Sequence, residues 1–384
     1  MAAMDEPANG IRYLEQLEAK GGSRAPEFRD VSRYIERKAR KKGIPVSGKF
    51  ELTPLCNLDC RMCFIHLAPE QLKGRSVLPV PVWKDLIRQS WEAGMYMATL
   101  TGGECLTYPG FEDLFLYLQS LGCEIVVMTN GVLLDEERIR FFVEHRPADI
   151  QVTLYGWNDD VYERVTGKRA FGTVSHNVAR AREAGLSVSV GVTPTVFLGE
   201  DSLETLRAAK SLSRSVVVNT GLFSPREETG RSGQTYEPDQ DLYVRIFQLE
   251  AELNGTEIRE VSPDRLPAPG GPHHDSACCG LQCAAGRSTF TLDWTGDLLA
   301  CNHLDMLREH PLEVGFQEAW KRINRRVNEW PMVPECSGCP YEPVCHNCAA
   351  QVLRYGEAGK LPTELCERTM NLVRHGLRRL PGCE

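Results

Sequence analysis

Three closely spaced cysteines are the strongest chemical feature of this sequence. Cys56, Cys60 and Cys63 follow the pattern C-x3-C-x2-C. Three thiolates on one short loop can each bind a different iron of a four-iron cluster, and the fourth iron then has no protein ligand. A small molecule can chelate that open iron. Taken alone, the three cysteines also fit a structural zinc loop that lacks one ligand.

The cysteine loop follows the first strand of a repeated strand–helix pattern. Between residues 48 and 223, short runs rich in Val, Ile and Thr alternate with helical segments, which is typical of a parallel sheet. Six such units predict a partial TIM-like (β/α)6 barrel, with functional residues at the carboxyl ends of the strands. The predicted strands are Lys49–Thr53, Met97–Thr101, Ile125–Thr129, Ile150–Leu154, Val188–Thr193 and Ser215–Asn219. The predicted helices between them are Val82–Ala93, Phe111–Leu121, Asp135–His145, Val174–Ala184 and Ser202–Leu212.

A second candidate site lies one strand–helix unit further along the chain. Thr101 ends the second predicted strand, and Gly102, Gly103 and Glu104 follow it. Two glycines let a ligand approach the backbone without a Cβ in the way. The nearby carbonyls and Glu104 can accept hydrogen bonds from an ammonium group. A glycine turn alone is a weak signal, but its position one unit after the cysteine loop makes it a strong one.

The cysteine loop together with this glycine motif resembles the radical S-adenosylmethionine superfamily. The resemblance implies that S-adenosylmethionine chelates the open iron of a [4Fe-4S] cluster and that Gly102, Gly103 and Glu104 bind its amino group. It also implies reductive cleavage to a 5′-deoxyadenosyl radical, which abstracts a hydrogen atom. Further cofactor contacts are expected from Met62, Asn130, Thr153, Arg164, Val192 and Thr193. Met62 stands where the family usually has an aromatic residue.

Cys105 follows Glu104, at a position where the family often has proline. Its thiol is our candidate for a catalytic group that donates a hydrogen atom to a substrate radical. The alternative is a small buried apolar side chain, which is the commoner role of a free cysteine.

A second group of cysteines lies towards the C-terminus. C-x2-C pairs on their own are typical of zinc sites. Their order here resembles the SPASM extension of radical S-adenosylmethionine enzymes, except that two residues instead of three separate Cys345 from Cys348. The resemblance implies two auxiliary [4Fe-4S] clusters. One would be bound by Cys279 or Cys278, with Cys283, Cys301 and Cys348, and the other by Cys336, Cys339, Cys345 and Cys366.

Composition and charge exclude several classes of protein. The net charge of −8 argues against a general nucleic-acid binder. No run approaches the roughly 20 apolar residues of a membrane helix. The acidic start of the chain lacks the apolar core of a secretory signal, so we expect a cytoplasmic protein. Fifteen cysteines in that compartment indicate metal binding and not a disulfide framework.

These observations predict four segments. They are an N-terminal helical leader region (1–47), the radical S-adenosylmethionine barrel (48–223), a connector (224–275) and the SPASM domain (276–384). Within the leader region, the pattern predicts a basic helix over Asp30–Lys42.

The predicted function is oxidative modification of a ribosomally made peptide, such as formation of a thioether or carbon crosslink. The expected partners are a precursor peptide or protein and an electron donor such as flavodoxin or ferredoxin. Because residues 1–47 are short for a recognition domain, we expect a leader peptide to be bound by a separate leader-recognition protein, by residues 1–47 themselves or by an exposed strand edge. The alternatives are a side-chain maturase that forms formylglycine, a small-molecule radical dehydrogenase, and a non-catalytic carrier of electrons through several clusters.

Overall fold

The structure is a computed structural model that describes residues 28–222, 225–226, 236–267, 283–330, 336, 339–345, 348, 350 and 363–380. Within these residues one sheet of nine strands carries the fold. The strands are β1 (Ser47–Glu51), β2 (Met97–Thr101), β3 (Glu124–Thr129), β4 (Asp149–Leu154), β5 (Val188–Val192), β6 (Val216–Val218), β7 (Thr289–Leu292), β8 (Leu298–Leu299) and β9 (Arg308–Glu309).

The first six strands lie side by side in chain order, and every neighbouring pair is parallel. The parallel α/β sheet predicted from the strand–helix alternation is therefore confirmed. Each predicted strand is present, and the bounds differ by at most two residues, most at β1. On its other edge, β1 pairs in parallel with β7, and β8 and β9 extend the sheet as antiparallel strands.

Helices follow most of the strands and cover the sheet. In chain order they are α1 (Phe28–Lys42), α2 (Val80–Glu92), α3 (Phe111–Ser120), α4 (Glu136–Glu144), α5 (Asp159–Thr166), α6 (Phe171–Glu183), α7 (Asp201–Leu212), α8 (Gln240–Leu253), α9 (Pro311–Val314), α10 (Phe316–Asn328) and α11 (Thr363–Arg374). Among the described helices, none combines the length and the apolar character needed to cross a lipid bilayer.

The spacing of apolar residues explains how these helices pack against the sheet. In α2, the buried residues Trp83, Leu86 and Ile87 recur at helical spacing and face the strands. The Trp83 ring meets the buried Phe50 ring of β1 edge to face, with centroids 6.1 Å apart. Phe290 of β7 contacts Phe50 with the same centroid distance. This aromatic cluster holds β1, and therefore the start of the cysteine loop, at the middle of the sheet.

Helix α5 was not among the predicted helices, although its sequence carries the usual end signals. The Asn158 side chain caps its first turn by accepting a hydrogen bond from the Val161 amide at 2.9 Å. Gly167 ends it with a left-handed backbone, φ 74°. The predicted helix over Asp30–Lys42 is present as α1. Residues 1–27 of the predicted leader region, and the part of the chain over 268–282, lie outside the described residues.

Candidate active site

The carboxyl ends of the parallel strands surround a cavity of about 530 Å³. Residues from both ends of the six-stranded segment line it, for example Glu51 of β1 and Val218 of β6, so the sheet curves around this space. Polar strand-end side chains line its wall, namely Thr101, Thr129, Asn130, Thr153, Thr193 and Asn219. The cavity is therefore polar along the strand ends, where a parallel sheet usually carries its site.

All three cysteines of the predicted cluster loop line this cavity. Backbone hydrogen bonds tie the loop to the end of α5, because the Asp59 amide donates to the Thr166 carbonyl at 2.9 Å and the Arg61 amide donates to the Val165 carbonyl at 3.0 Å. Helix α5, which was not among the predicted helices, thus supports the cysteine loop.

Hydrogen bonds to sulfur surround the thiols. The Leu58 amide donates to Cys56 Sγ at 3.4 Å, and the His66 amide donates to Cys63 Sγ at 3.3 Å. The Asn130 side-chain amide donates to Cys56 Sγ at 3.6 Å. Donors of this kind stabilise thiolates that bind iron.

Burial governs the ionisation of these thiols when no metal is bound. It raises the pKa of Cys56 to about 12, although the Leu58 and Asn130 donors oppose the rise. Burial also raises the pKa of Cys60, and the neighbouring thiols of Cys63 and Cys56 add to the rise. Tyr155, which the sequence analysis did not select, lines the cavity and hydrogen-bonds Cys60. A bound metal would reverse this preference because it deprotonates its thiol ligands.

Three thiols at one cavity are a donor set that a four-iron cluster uses. Within the part of the chain that the structure describes, no three His, Cys, Asp or Glu side chains converge on a single ion position. A cubane cluster does not need such convergence, since each cysteine binds a different iron.

The two glycines of the predicted amino-group site lie against the backbone that precedes the cysteine loop. A Cβ on Gly103 would lie 2.3 Å from the Leu55 carbonyl oxygen, and a Cβ on Gly102 would lie 2.6 Å from the Thr53 carbonyl oxygen. Gly102 also has a φ of +150°, which side-chain-bearing residues rarely adopt. Only glycine allows this approach, and both glycines line the cavity.

Glu104 is turned away from the cavity and towards the end of β3. Its buried carboxylate accepts hydrogen bonds from the Asn130 amide at 2.7 Å, the Thr129 hydroxyl at 2.8 Å and the Leu106 amide at 3.1 Å. Burial raises the pKa of Glu104, and these donors oppose that rise. In this structure the carboxylate orders the Thr129–Asn130 segment, and its predicted contact with an ammonium group stays a prediction.

Asn130 is the residue through which that segment reaches the cysteine loop. Besides contacting Cys56, its side-chain amide donates to Asn57 Oδ1 at 2.6 Å. Its own side-chain oxygen accepts from the Val132 amide at 3.0 Å. The structure thus places Asn130, Thr153 and Met62 on the cavity wall, and their contacts with the cofactor stay a prediction.

Three other predicted site residues do not line the cavity. Cys105 is fully buried, and its thiol donates to the Met128 carbonyl at 3.2 Å. Arg164 pairs with Asp201 at the surface, because α5 directs it towards the start of α7. Val192 is buried in the sheet, whereas its neighbour Thr193 lines the cavity. The structure therefore does not bring Cys105, Arg164 or Val192 to the predicted cofactor space.

A buried ion pair that the sequence did not reveal lies beside the cavity, at the wall residue Glu51. Arg226 and Glu51 form two parallel bonds of 2.9 Å, and both side chains are almost fully buried. Arg226 also donates to the Asn302 carbonyl at 3.0 Å, and its backbone amide donates to the Phe64 carbonyl at 3.0 Å. The Phe64 ring in turn contacts the His303 ring, with centroids 4.9 Å apart. One arginine thus joins β1, the loop after Cys63 and the loop after Cys301.

Some of the predicted auxiliary ligands approach each other. Burial raises the pKa of the Cys301 thiol to about 11, and the nearby thiols of Cys348 and Cys283 add to that rise. In the other predicted set, Thr369 of α11, one turn after Cys366, contacts Cys345 Sγ at 3.8 Å. The Cys339 amide donates to the Cys336 carbonyl at 3.3 Å. Cys278 and Cys279 lie outside the described residues.

Comparison with known proteins agrees with this geometry. Residues 50–223 match the model of the radical SAM superfamily, so the chain contains a radical SAM domain over the six parallel strands. The match covers both the cysteine loop and the glycine motif.

Relatives and solved structures extend the likeness beyond this domain. The chain is 25% identical to mycofactocin maturase MftC from Mycolicibacterium smegmatis, over 82% of this chain and 80% of the relative. It is 24% identical to the AdoMet-dependent heme synthase from Methanosarcina barkeri, over 79% of this chain and 90% of the relative. The crystal structure of Streptococcus suis SuiB bound to precursor peptide SuiA has the same fold, with a TM-score of 0.65 at 14% identity, over 94% of this chain and 87% of that one.

Proposed function

We propose that this protein is a radical S-adenosylmethionine enzyme that oxidatively modifies a peptide. The observation that carries the proposal is that Cys56, Cys60 and Cys63 line one cavity together with Gly102 and Gly103. Bound there, S-adenosylmethionine and a reduced [4Fe-4S] cluster supply a 5′-deoxyadenosyl radical for hydrogen abstraction.

The chain's own residues have distinct tasks in this proposal. The three cysteines hold the cluster, and the two glycines let the amino-acid part of the cofactor approach the backbone. Asn130 positions Cys56 through the hydrogen bonds described above. Met62, buried on the cavity wall, offers an apolar, polarisable surface to the cofactor.

In this proposal, the C-terminal cysteines provide for oxidation of the substrate radical. A substrate radical formed by hydrogen abstraction must lose one further electron and one proton to give a crosslink or a double bond. Asn302 and His303, which follow Cys301, line the same cavity. Cys283, Cys301 and Cys348 with Cys278 or Cys279 would hold a SPASM-type auxiliary cluster, which would supply an acceptor for that electron. A second auxiliary cluster, held by Cys336, Cys339, Cys345 and Cys366, completes the proposed set.

A peptide substrate is supported by the relatives and by the cavity. MftC is named as a maturase, and the SuiB structure contains a precursor peptide. The strand-end threonines and asparagines offer hydrogen bonds to a backbone. The likeness to a heme synthase supports a small-molecule substrate as the second candidate.

The test is anaerobic turnover with reconstituted protein. The enzyme is incubated with S-adenosylmethionine, dithionite and short peptides encoded beside its gene, and products are separated by chromatography and mass spectrometry. We expect 5′-deoxyadenosine, a peptide lighter by two hydrogens, and about twelve irons per chain. Failure to form 5′-deoxyadenosine under any of these conditions would refute the radical reaction. Formation of 5′-deoxyadenosine with about four irons per chain would refute the auxiliary clusters alone.

A further inference from the structure

Among the described residues, only one of the two β1 charges that face the cavity has an ion-pair partner. Two charged side chains of β1, Lys49 and Glu51, line its wall. Arg226 neutralises Glu51 through the two 2.9 Å bonds. Lys49 forms no hydrogen bond or ion pair with any residue in the described part of the chain, and it is only partly exposed. The opposite charges that Lys49 senses are the Glu51 carboxylate, which Arg226 already binds, and the Cys301 thiol when it is ionised. A partly buried ammonium group that no carboxylate contacts directly is costly, so its place in a cavity points to a ligand of opposite charge.

Lys49 lies deeper in the cavity than the glycine motif. In the strand register, Lys49 is paired with Thr99 and Glu51 with Thr101, directly before Gly102. At about 3.3 Å per residue, the Lys49 backbone is therefore roughly 10 Å below Gly102 along the strand. Its other neighbour in the sheet is Thr291 of β7. Lys49 thus belongs to the lower part of the cavity, on the central strand between β2 and β7.

The surroundings of Lys49 suit an anionic organic group. Hydroxyl and amide side chains share the cavity with it, including Thr101, Thr153, Asn219 and Asn302. A flexible ammonium group with neighbouring hydrogen-bond donors is a common way to bind a carboxylate. A peptide carries a carboxylate at its C-terminus and on Asp and Glu side chains.

We propose that Lys49 is a specificity-determining residue that binds a carboxylate of the substrate at the bottom of the cavity. This inference rests on the proposed function, because it assumes that the substrate enters the same cavity as the cofactor. The methionine carboxylate of S-adenosylmethionine is the other possible source of the same chemistry. The depth of Lys49 below the glycine motif favours the substrate.

The test measures peptide selectivity directly. Reconstituted holoenzyme with S-adenosylmethionine is mixed anaerobically with a defined pool of synthetic peptides in three forms. The first form has a free C-terminus, the second is amidated, and the third is amidated with every Asp and Glu replaced by Asn and Gln. Retained peptides are recovered by rapid gel filtration and quantified by mass spectrometry. We expect the wild-type protein to prefer carboxylate-bearing forms by about ten- to a hundredfold.

Three variants identify the group responsible. Lys49→Met keeps the side-chain length and removes the charge, and we expect it to abolish the preference. Lys49→Arg keeps the charge and should retain part of it. Lys84→Met is the matched control, because Lys84 lies 3.6 Å from Asp113 on the outside of the molecule, and we expect it to retain the full preference.

Two results would overturn the proposal. The first is equal retention of the three peptide forms by the wild-type protein, including no retention of any. The second is a loss of S-adenosylmethionine affinity in Lys49→Met as large as the loss of peptide preference, which would assign Lys49 to the cofactor carboxylate. Formation of 5′-deoxyadenosine by the same preparation tests the proposed function separately, so the two failures are distinguishable.

Discussion

Removal of the guanidinium of Arg226 should be among the most damaging single changes in this protein. In Arg226→Met, the Glu51 carboxylate stays buried without its partner, and the Asn302 carbonyl loses a donor. Breaking a buried ion pair from one side typically costs about 3–5 kcal/mol, because an uncompensated charge stays in a poorly solvated site. We expect the free energy of unfolding to fall by an amount in this range.

The assay is urea unfolding at neutral pH, followed by circular dichroism, on matched variants. Arg245→Met is the control, because Arg245 and Glu200 form an equally bidentate pair, with bonds of 2.7 and 2.6 Å, on the surface. Exposed pairs contribute no more than about 1 kcal/mol. The double variant Glu51→Leu with Arg226→Met removes both charges, and we expect it to be more stable than Arg226→Met alone.

Two outcomes of the unfolding measurements would contradict this prediction. If Arg226→Met loses no more stability than Arg245→Met, the buried pair does not hold the wall of the cavity together. If the double variant is as unstable as the single one, the cost arises from lost packing and not from the unpaired charge.

Three further predictions concern other parts of the molecule. Gly103→Ala should weaken S-adenosylmethionine binding more than tenfold in equilibrium dialysis, because its Cβ would overlap backbone atoms, whereas Gly172→Ala, which meets open space, should bind normally. Asn130→Ala should lower the iron retained per chain after gel filtration, since Cys56 loses a side-chain donor. His310→Gln should cost more stability at about pH 5 than at about pH 9, by less than about 1 kcal/mol.

The raised pKa of His310 decides at which pH the substitution costs more stability. The hydrogen bond with Asp297 raises the pKa of His310. Its stabilising effect is therefore complete below the unfolded pKa of about 6.5 and is lost as the pH rises through the folded value. An equal loss of stability at both pH values would contradict the prediction for His310. Unchanged iron retention in Asn130→Ala would contradict the second prediction, and normal S-adenosylmethionine binding in Gly103→Ala would contradict the first.

Local sequence patterns predicted much of the fold correctly. Strand and helix periodicity depends on neighbouring residues, so the six parallel strands were found within two residues of their true bounds. The cysteine and glycine motifs each lie within a few consecutive residues, directly after a strand. Because parallel strands end at the same edge of a sheet, the sequence also indicated that the cysteine loop and the glycine motif lie at one edge.

Only the tertiary structure decided which side chains face the cavity. The pairing of β1 with β7 and the Arg226–Glu51 ion pair join residues that are far apart in the chain, where periodicity carries no information. The sequence motif also could not show that Glu104 turns to the end of β3, since that depends on donors that β3 presents. The sequence by itself determined which residues could do chemistry, and the packing of distant segments decided which of them share one cavity with Lys49.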